Sequence, residues 1–192
     1  MNLVIIFFMA MIINNIVLIK FLALCSFFGL SNNIKTSIGM SASVIFVLVL
    51  VSAVTWPIWH FILKGKLAYL STATFILVIA ALVQFVEMVI RKHMPPLYRA
   101  MGIYLPLITT NCAIFALAVM QVEANYSFLE SIVFALAIGL GYTLSIILFA
   151  GLREKMDKAP IPKAFKNYPV SFVAAGLMSL AFLGFCGMFG WH

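Results

Sequence analysis

Three cysteines, Cys25, Cys112 and Cys186, offer the most distinctive chemistry in this 192-residue chain. A thiol can act as a nucleophile, close a disulfide or ligate a metal. Surrounded by apolar residues, it most often packs as a small hydrophobe. A disulfide is disfavoured, because the count is odd and all three lie inside apolar runs. A closed zinc or iron–sulfur site needs about four ligands. The three histidines, His60, His93 and His192, fall at the ends of apolar runs, where an interfacial position explains them. No H-E-x-x-H, G-x-x-x-x-G-K or G-x-G-x-x-G pattern occurs, and nothing is spaced as a hydrolytic triad. Two clusters of polar residues break the apolar runs near the first two cysteines. Asn14, Asn15 and Lys20 precede Cys25, and Pro106, Thr109, Thr110 and Asn111 precede Cys112.

The elements that would position these residues are membrane helices. Hydrophobic residues make up 65% of the chain and charged residues 9%, with a mean hydropathy of +1.18. A soluble domain is about half apolar and about a quarter charged. Six apolar runs extend over 3–30, 38–63, 67–90, 101–122, 128–152 and 170–191. They are continuous and do not alternate as barrel strands would. The fold expected is an all-α membrane protein of six transmembrane helices, one integral membrane domain over residues 1–192. Six spans use most of the chain and leave no room for a separate nucleotide-binding or catalytic domain. The composition also excludes a coiled coil, a fibrous protein and a disordered tail.

The net charge of +7 does not indicate nucleic acid. Of the 12 Lys and Arg residues, nine (Lys35, Arg91, Lys92, Arg99, Arg153, Lys155, Lys158, Lys163 and Lys166) lie in the first, third and fifth connections. Lys64 and Lys66 lie on the other side, and Lys20 is inside the first run. This imbalance is the orientation signal of a membrane protein. It places the three connections in the cytoplasm and both termini on the extracytoplasmic side of a bacterial inner membrane. The first run reads as a span and not as a cleavable signal, since no positive segment precedes it. Leu22-Ala23-Leu24-Cys25 lacks the small residue that a lipoprotein processing box requires before its cysteine.

The halves echo one another when Cys25 is aligned with Cys112. Phe27-Phe28-Gly29-Leu30 then pairs with Ile114-Phe115-Ala116-Leu117. Three spans per half is an odd number, so the second copy must cross in the opposite sense. The expectation is two inverted three-helix repeats, about 1–92 and 93–192, with helices 1 and 4 broken near mid-depth, as in inverted-repeat transporters. Pro106 favours a break in helix 4. Residues 3–30 as one straight helix would span about 42 Å at 1.5 Å per residue, against a core of about 30 Å. A break over 14–20 is expected. Asn and Thr side chains at such breaks can satisfy freed backbone groups, or simply hydrogen-bond between helices.

The stretches Asn14-Asn15-Ile16-Val17-Leu18-Ile19-Lys20-Phe21-Leu22-Ala23-Leu24-Cys25 and Leu105-Pro106-Leu107-Ile108-Thr109-Thr110-Asn111-Cys112-Ala113 resemble the paired signatures of the RnfA/NqrE family, in the version found in the A-type chain of the Rnf ion-translocating oxidoreductase. The resemblance continues through Gln84-Phe85-Val86-Glu87-Met88, Pro96-Leu97-Tyr98, Gly151-Leu152-Arg153-Glu154 and Ala175-Gly176-Leu177-Met178-Ser179-Leu180, and so covers nearly the whole chain. It implies that Cys25 and Cys112 each ligate iron in an intramembrane [2Fe-2S] cluster shared with a homologous, RnfE-like membrane subunit. Four thiolates suit such a centre, and this chain supplies two. Cys186 stands outside the pattern and is read as packing.

The resemblance further implies a membrane subunit of a ferredoxin:NAD oxidoreductase that relays electrons across the membrane, coupled to Na⁺ or H⁺. Partners of the B, C, D and G types would carry flavins and further iron–sulfur clusters, and this chain alone would hold no complete active site. A candidate ion path comprises Asn14, Asn15, Lys20, Thr109, Thr110 and Asn111. Lys20 is also a candidate countercharge for the cluster, although it could equally snorkel to the interface. Glu87, the one acid well inside a run, is a candidate by its placement. Arg91, four residues on, offers it an ordinary ion pair. Three alternatives remain open: an NqrE-type subunit of a Na⁺-translocating NADH:quinone oxidoreductase, a redox-free secondary transporter, and a related complex serving a redox-sensing regulator.

Overall fold

A computed structural model describes residues 3–31, 34–63, 71–93, 111–158, 160 and 168–188. Every regular element among them is helical. In chain order they are α1 (Leu3–Phe8), continued by a π turn (Met9–Ile13), α2 (Leu24–Leu30), and α3 (Ile34–Ile58), continued by a second π turn (Trp59–Leu63). Then come α4 (Ser71–His93), α5 (Cys112–Glu123), α6 (Phe128–Asp157) and α7 (Tyr168–Met188).

Local chemistry accounts for where these helices start and stop. Pro57 cannot donate to the preceding turn, and the last turns of α3 widen to π geometry directly after it. Glu130 opens α6 by reaching back to Ser127, whose N–H and O–H donate to its Oε2 at 3.0 and 2.9 Å. That is a capping-box arrangement at a helix start.

The bundle is built around α3 and α6, which pack along each other, with α1, α5 and α7 laid against them. Close approach needs small residues. A Cβ on Gly139 would sit 2.7 Å from Cγ1 of Ile45 on α3. In α4, Phe75, Ile79, Val83 and Val86 are buried at the spacing of one helical face. Its other faces remain apolar, with Leu77 and Phe85 exposed, as are Phe46, Phe172 and Leu180 elsewhere. An apolar surface this extensive suits burial in lipid or against partner chains.

Among the described residues, two helices are long and apolar enough to cross a bilayer, over Ser37–Phe61 and Phe128–Met156, each with a mean hydropathy of 2.4. Leu3–Ile13, Thr72–Met88, Cys112–Glu123 and Tyr168–Gly184 are shorter apolar helices. The break expected in the first run is present: the chain is non-helical from Asn14 to Ala23. The break expected around Pro106 lies outside the described residues, as do Thr109 and Thr110.

Candidate functional site

Asn15 organises the break after α1. Its Oδ1 accepts from the N–H groups of Val17 and Leu18, at 3.1 and 3.4 Å. Its Nδ2 donates to Gly141 O at 3.0 Å and to Met11 O at 3.5 Å. The amide thus replaces partners that a continuing helix would have supplied. Gly141 lies near the midpoint of the 30-residue α6, so the break is level with the middle of that helix. Ser179 on α7 steadies it further, donating to Leu18 O at 2.5 Å.

The chain then turns through two left-handed non-glycine residues, Phe21 (φ 53°) and Ala23 (φ 62°). Such conformations cost on the order of 1–3 kcal/mol each and persist only where the surroundings enforce them. Here the enforcement is visible. Ser26 Oγ donates to Ala23 O at 3.0 Å and accepts from the hydroxyl of Tyr142, fully buried in α6, at 3.1 Å. Ala23 N–H points to the sulfur of Cys112, with N···Sγ 3.2 Å. Ala23 immediately precedes α2, which carries Cys25 in its first turn, and Cys112 is the first residue of α5. The tight bend thus joins the starts of both cysteine-bearing helices.

From this shared origin the helices leave in opposite directions. α2 ends beside the C-terminal end of α6, where Arg153 donates to Phe28 O at 2.9 Å and Ser31 Oγ at 2.8 Å. α5 runs to the other end and turns through 124–127 into the start of α6. Each helix presents N–H groups of its first turn toward mid-depth. Asn111 caps α5 by accepting from Ala113 N–H at 3.0 Å. Of the donors around the bend, the Ala23 N–H is turned to the Cys112 sulfur, while the N–H groups of Ala113 and Ile114 are taken by Asn111 and that of Phe27 by Ala23 O.

Both thiols are free, Cys25 exposed on the surface of this chain and Cys112 half-buried. Among the described residues, no three His, Cys, Asp or Glu side chains converge as metal ligands. Two thiols at one bend, one already accepting a backbone N–H, fit half of an iron–sulfur site. The exposure of Cys25 leaves room for the other half to come from outside the chain. Cys186 lies on α7, and its side chain is outside the described residues.

The remaining candidates have separate fates. Asn15 Oδ1 is occupied by two backbone donors, so its role is to hold the break. Asn111 uses its oxygen as a cap, and its Nδ2 has no partner among the described residues. Asn14 is half-buried and its backbone N–H donates to Met9 O at 2.7 Å. Lys20 is exposed, with Nζ 3.8 Å from Met120 Sδ on α5. Glu87 is half-buried on α4, well away in sequence from the bend.

Sequence reasoning misses Ser26, Tyr142, Ser179 and Arg153 as parts of this site. In the charge count Arg153 is only an orientation signal, yet it is 7% exposed and caps α2. Hydroxyls in otherwise apolar helices are the available signal for the other three.

The fold and this bend define a polytopic helical membrane protein with a broken span and paired thiols. Residues 3–189 match the family described as Rnf-Nqr subunit, membrane protein. The chain belongs to that family. It is 49% identical to the A-type chain of the ion-translocating oxidoreductase complex of Syntrophotalea carbinolica, over 97% of both chains. It is 48% identical to the A-type chain of the Na⁺-translocating ferredoxin:NAD⁺ oxidoreductase complex of Acetobacterium woodii, over 98% of both. Against the corresponding chain of the ion-translocating oxidoreductase complex of an Azoarcus species the identity is 50%, over 92% of each. The resemblance read from the two cysteine stretches thus extends over nearly the full length.

Proposed function

We propose that this chain is the A-type membrane subunit of an Rnf ion-translocating ferredoxin:NAD oxidoreductase and holds half of an intramembrane [2Fe-2S] cluster through Cys25 and Cys112. The observation that carries the reading is the meeting of two oppositely directed helix starts at the Ala23 N–H···Sγ Cys112 contact. A homologous E-type subunit supplies the other two thiolates, across the surface where Cys25 is exposed. When bound, the cluster supplies a one-electron relay between the two faces of the membrane.

The chain's own residues prepare that place. The Ala23 N–H stabilises negative charge on the Cys112 sulfur, as hydrogen bonds to cluster sulfurs do. The starts of α5 and α2 add positive potential in a low-dielectric setting, where it acts strongly. Phe27, Phe28 and Phe149 stack beside α2 and exclude water from its inner face. Asn15, Ser26, Tyr142 and Ser179 hold the bend open at mid-depth against the tendency of the apolar sequence to form one helix.

The same reading takes the fold as six spans in two inverted repeats, with α2 and α5 as equivalent half-helices. It places both termini on the extracytoplasmic side of a bacterial inner membrane. Partners of the B, C, D and G types would carry the flavins and the other clusters. Na⁺ or H⁺ movement accompanies electron transfer past the break lined by Asn14, Lys20 and Asn111.

Replacing Cys25 or Cys112 with Ser in the assembled complex tests the assignment. Either change is expected to remove the paramagnetic signal of one reduced [2Fe-2S] centre while the mutated chain still inserts and assembles. A signal that survives both replacements overturns the reading.

A further inference from the structure

Of the charged side chains among the described residues, Arg153 alone is buried. Its Nη1 donates to Phe28 O and to Ser31 Oγ at the end of α2. Ser31 is buried too, and the Tyr168 ring centre lies 5.9 Å from the guanidinium carbon. The rings of Phe28, Phe149 and Phe172 pack on one another beside the same helix end. The adjacent acid, Glu154, is exposed and pairs with Lys158 at 3.1 Å. Among the described residues, no carboxylate is bonded to Arg153.

A cation in such a place is expensive to desolvate. Capping does not demand that cost. The two acceptors need N–H donors, and a neutral amide carries two. What a guanidinium adds is a charge that cannot be lost by deprotonation. A negative charge nearby would offset its burial.

The thiol pair is where the fold prepares for one. Metals bind the deprotonated thiolate, so ligation brings negative charge to Cys25 and Cys112. Phe28 follows Cys25 by three residues in α2. At 1.5 Å per residue, with the 2.9 Å bond from its carbonyl added, the guanidinium stands roughly 10 Å from the Cys25 backbone. Over this interval α2 and α6 run side by side: Tyr142 meets Ser26, Phe149 meets Phe27, and Arg153 meets Ser31. Tyr142, Phe27 and Phe149 are all fully buried, so salt and water screen the interval little. Lys20 is nearer in sequence but worse placed. It is exposed, and its Nζ contacts Met120 Sδ, which lies eight residues, or about 12 Å, along α5 from Cys112.

We propose that Arg153, and not Lys20, is the fixed countercharge of the thiolate site, and that its charge raises the midpoint potential of the centre held at Cys25 and Cys112. This rests on the function proposed above. Arg153 touches neither thiol and acts through the low-dielectric wall between α2 and α6.

The test is a potentiometric titration of the purified complex, followed by paramagnetic resonance at the signal that Cys25→Ser removes. Arg153→Met is expected to lower the reduced-to-oxidised ratio at a fixed potential by about tenfold, a fall of about 59 mV for one electron. Arg153→Lys, whose ammonium still donates to one acceptor, should keep most of the parent potential while thermal stability drops. Ser31→Asp keeps the guanidinium and neutralises it in place, and should lower the potential as Arg153→Met does. It decides the matter if Arg153→Met fails to assemble. Lys20→Met should leave the potential unmoved. The proposal is overturned if the charge-removing and charge-neutralising variants titrate like the parent, if Arg153→Lys falls as far as Arg153→Met, or if Lys20→Met produces the larger fall. A parent complex with no signal dependent on Cys25 and Cys112 would sink the redox reading and this proposal together. A Cys-dependent signal whose potential ignores Arg153 would sink this proposal alone.

Discussion

The side chain of Asn15 is locked to the backbone of Gly141, 126 positions away, by an Nδ2···O contact of 3.0 Å. The lock needs glycine. A Cβ at position 141 would stand 2.9 Å from Met11 O and 3.4 Å from Asn15 Nδ2. Neither the backbone oxygen nor the committed amide can retreat easily. Gly141→Ala should therefore destabilise the chain by about 1–3 kcal/mol, the range for overpacking a tight contact. Thermal unfolding of the detergent-solubilised complex would show it as a lowered transition temperature. An unchanged transition would mean that the break is held by other contacts.

Asn15→Leu makes the complementary case. It keeps similar bulk and removes every bond of the amide, leaving the N–H groups of Val17 and Leu18 without that acceptor, while the Gly141 carbonyl keeps the Ser145 hydroxyl. Each lost bond to a buried backbone group costs about 1–3 kcal/mol. The expected result is low accumulation of the protein in the membrane, measured against Asn15→Asp, which keeps the acceptor oxygen.

The break itself is legible in the sequence. Residues 3–30 are too long for a straight span, and Asn14-Asn15 mark the place. What holds it open is not legible there, because the partners come from α6 and α7, more than 100 residues away. Periodicity in an apolar helix does not say which face meets protein and which meets lipid, so Tyr142 and Ser179 look like any other residue of their runs. Arg153 misleads for a related reason. A run's end shows where a cation sits, but not whether it turns outward or folds back over a neighbouring helix end.

Tyr142→Phe should separate positioning from bulk. The ring that fills the core remains, and only the hydroxyl that steadies Ser26 is lost, at a stability cost of about 1 kcal/mol. If Ser26 aligns the Ala23 peptide toward Cys112, the midpoint potential of the proposed [2Fe-2S] centre should fall, because a weakened N–H···S bond stabilises added negative charge less well. A potentiometric titration followed by paramagnetic resonance checks this. A purely structural tyrosine would lower stability and leave the potential where it was.

Arg153→Met would leave Phe28 O and Ser31 Oγ without their donor at the closed end of α2. Bonds to a charged donor contribute about 1.5–3 kcal/mol, and a buried methionine repays some of that by packing. Arg153→Lys should not restore the parent, because one ammonium cannot match the planar guanidinium that reaches both acceptors and lies 5.9 Å from the Tyr168 ring centre. The measurement is thermal stability of both variants beside the parent. Equal stability of Lys and Arg at this position would show that charge alone matters there.

Sidedness offers a prediction that the buried arginine makes sharper. If Arg153 serves α2 and not the membrane surface, removing it from the tally still leaves eight basic residues in the odd-numbered connections against Lys64 and Lys66 in the even ones. Orientation should then survive Arg153→Met, because the rule responds to the total imbalance and not to any single charge. A cysteine introduced at exposed Lys155 should react with a membrane-impermeant maleimide only after the cytoplasmic face is opened. One introduced at exposed Asn125, in the turn between α5 and α6, should react from outside in intact cells. The same pattern in the Arg153→Met background would show that orientation does not depend on this cation. A reversal of the labelling would return it to the orientation signal.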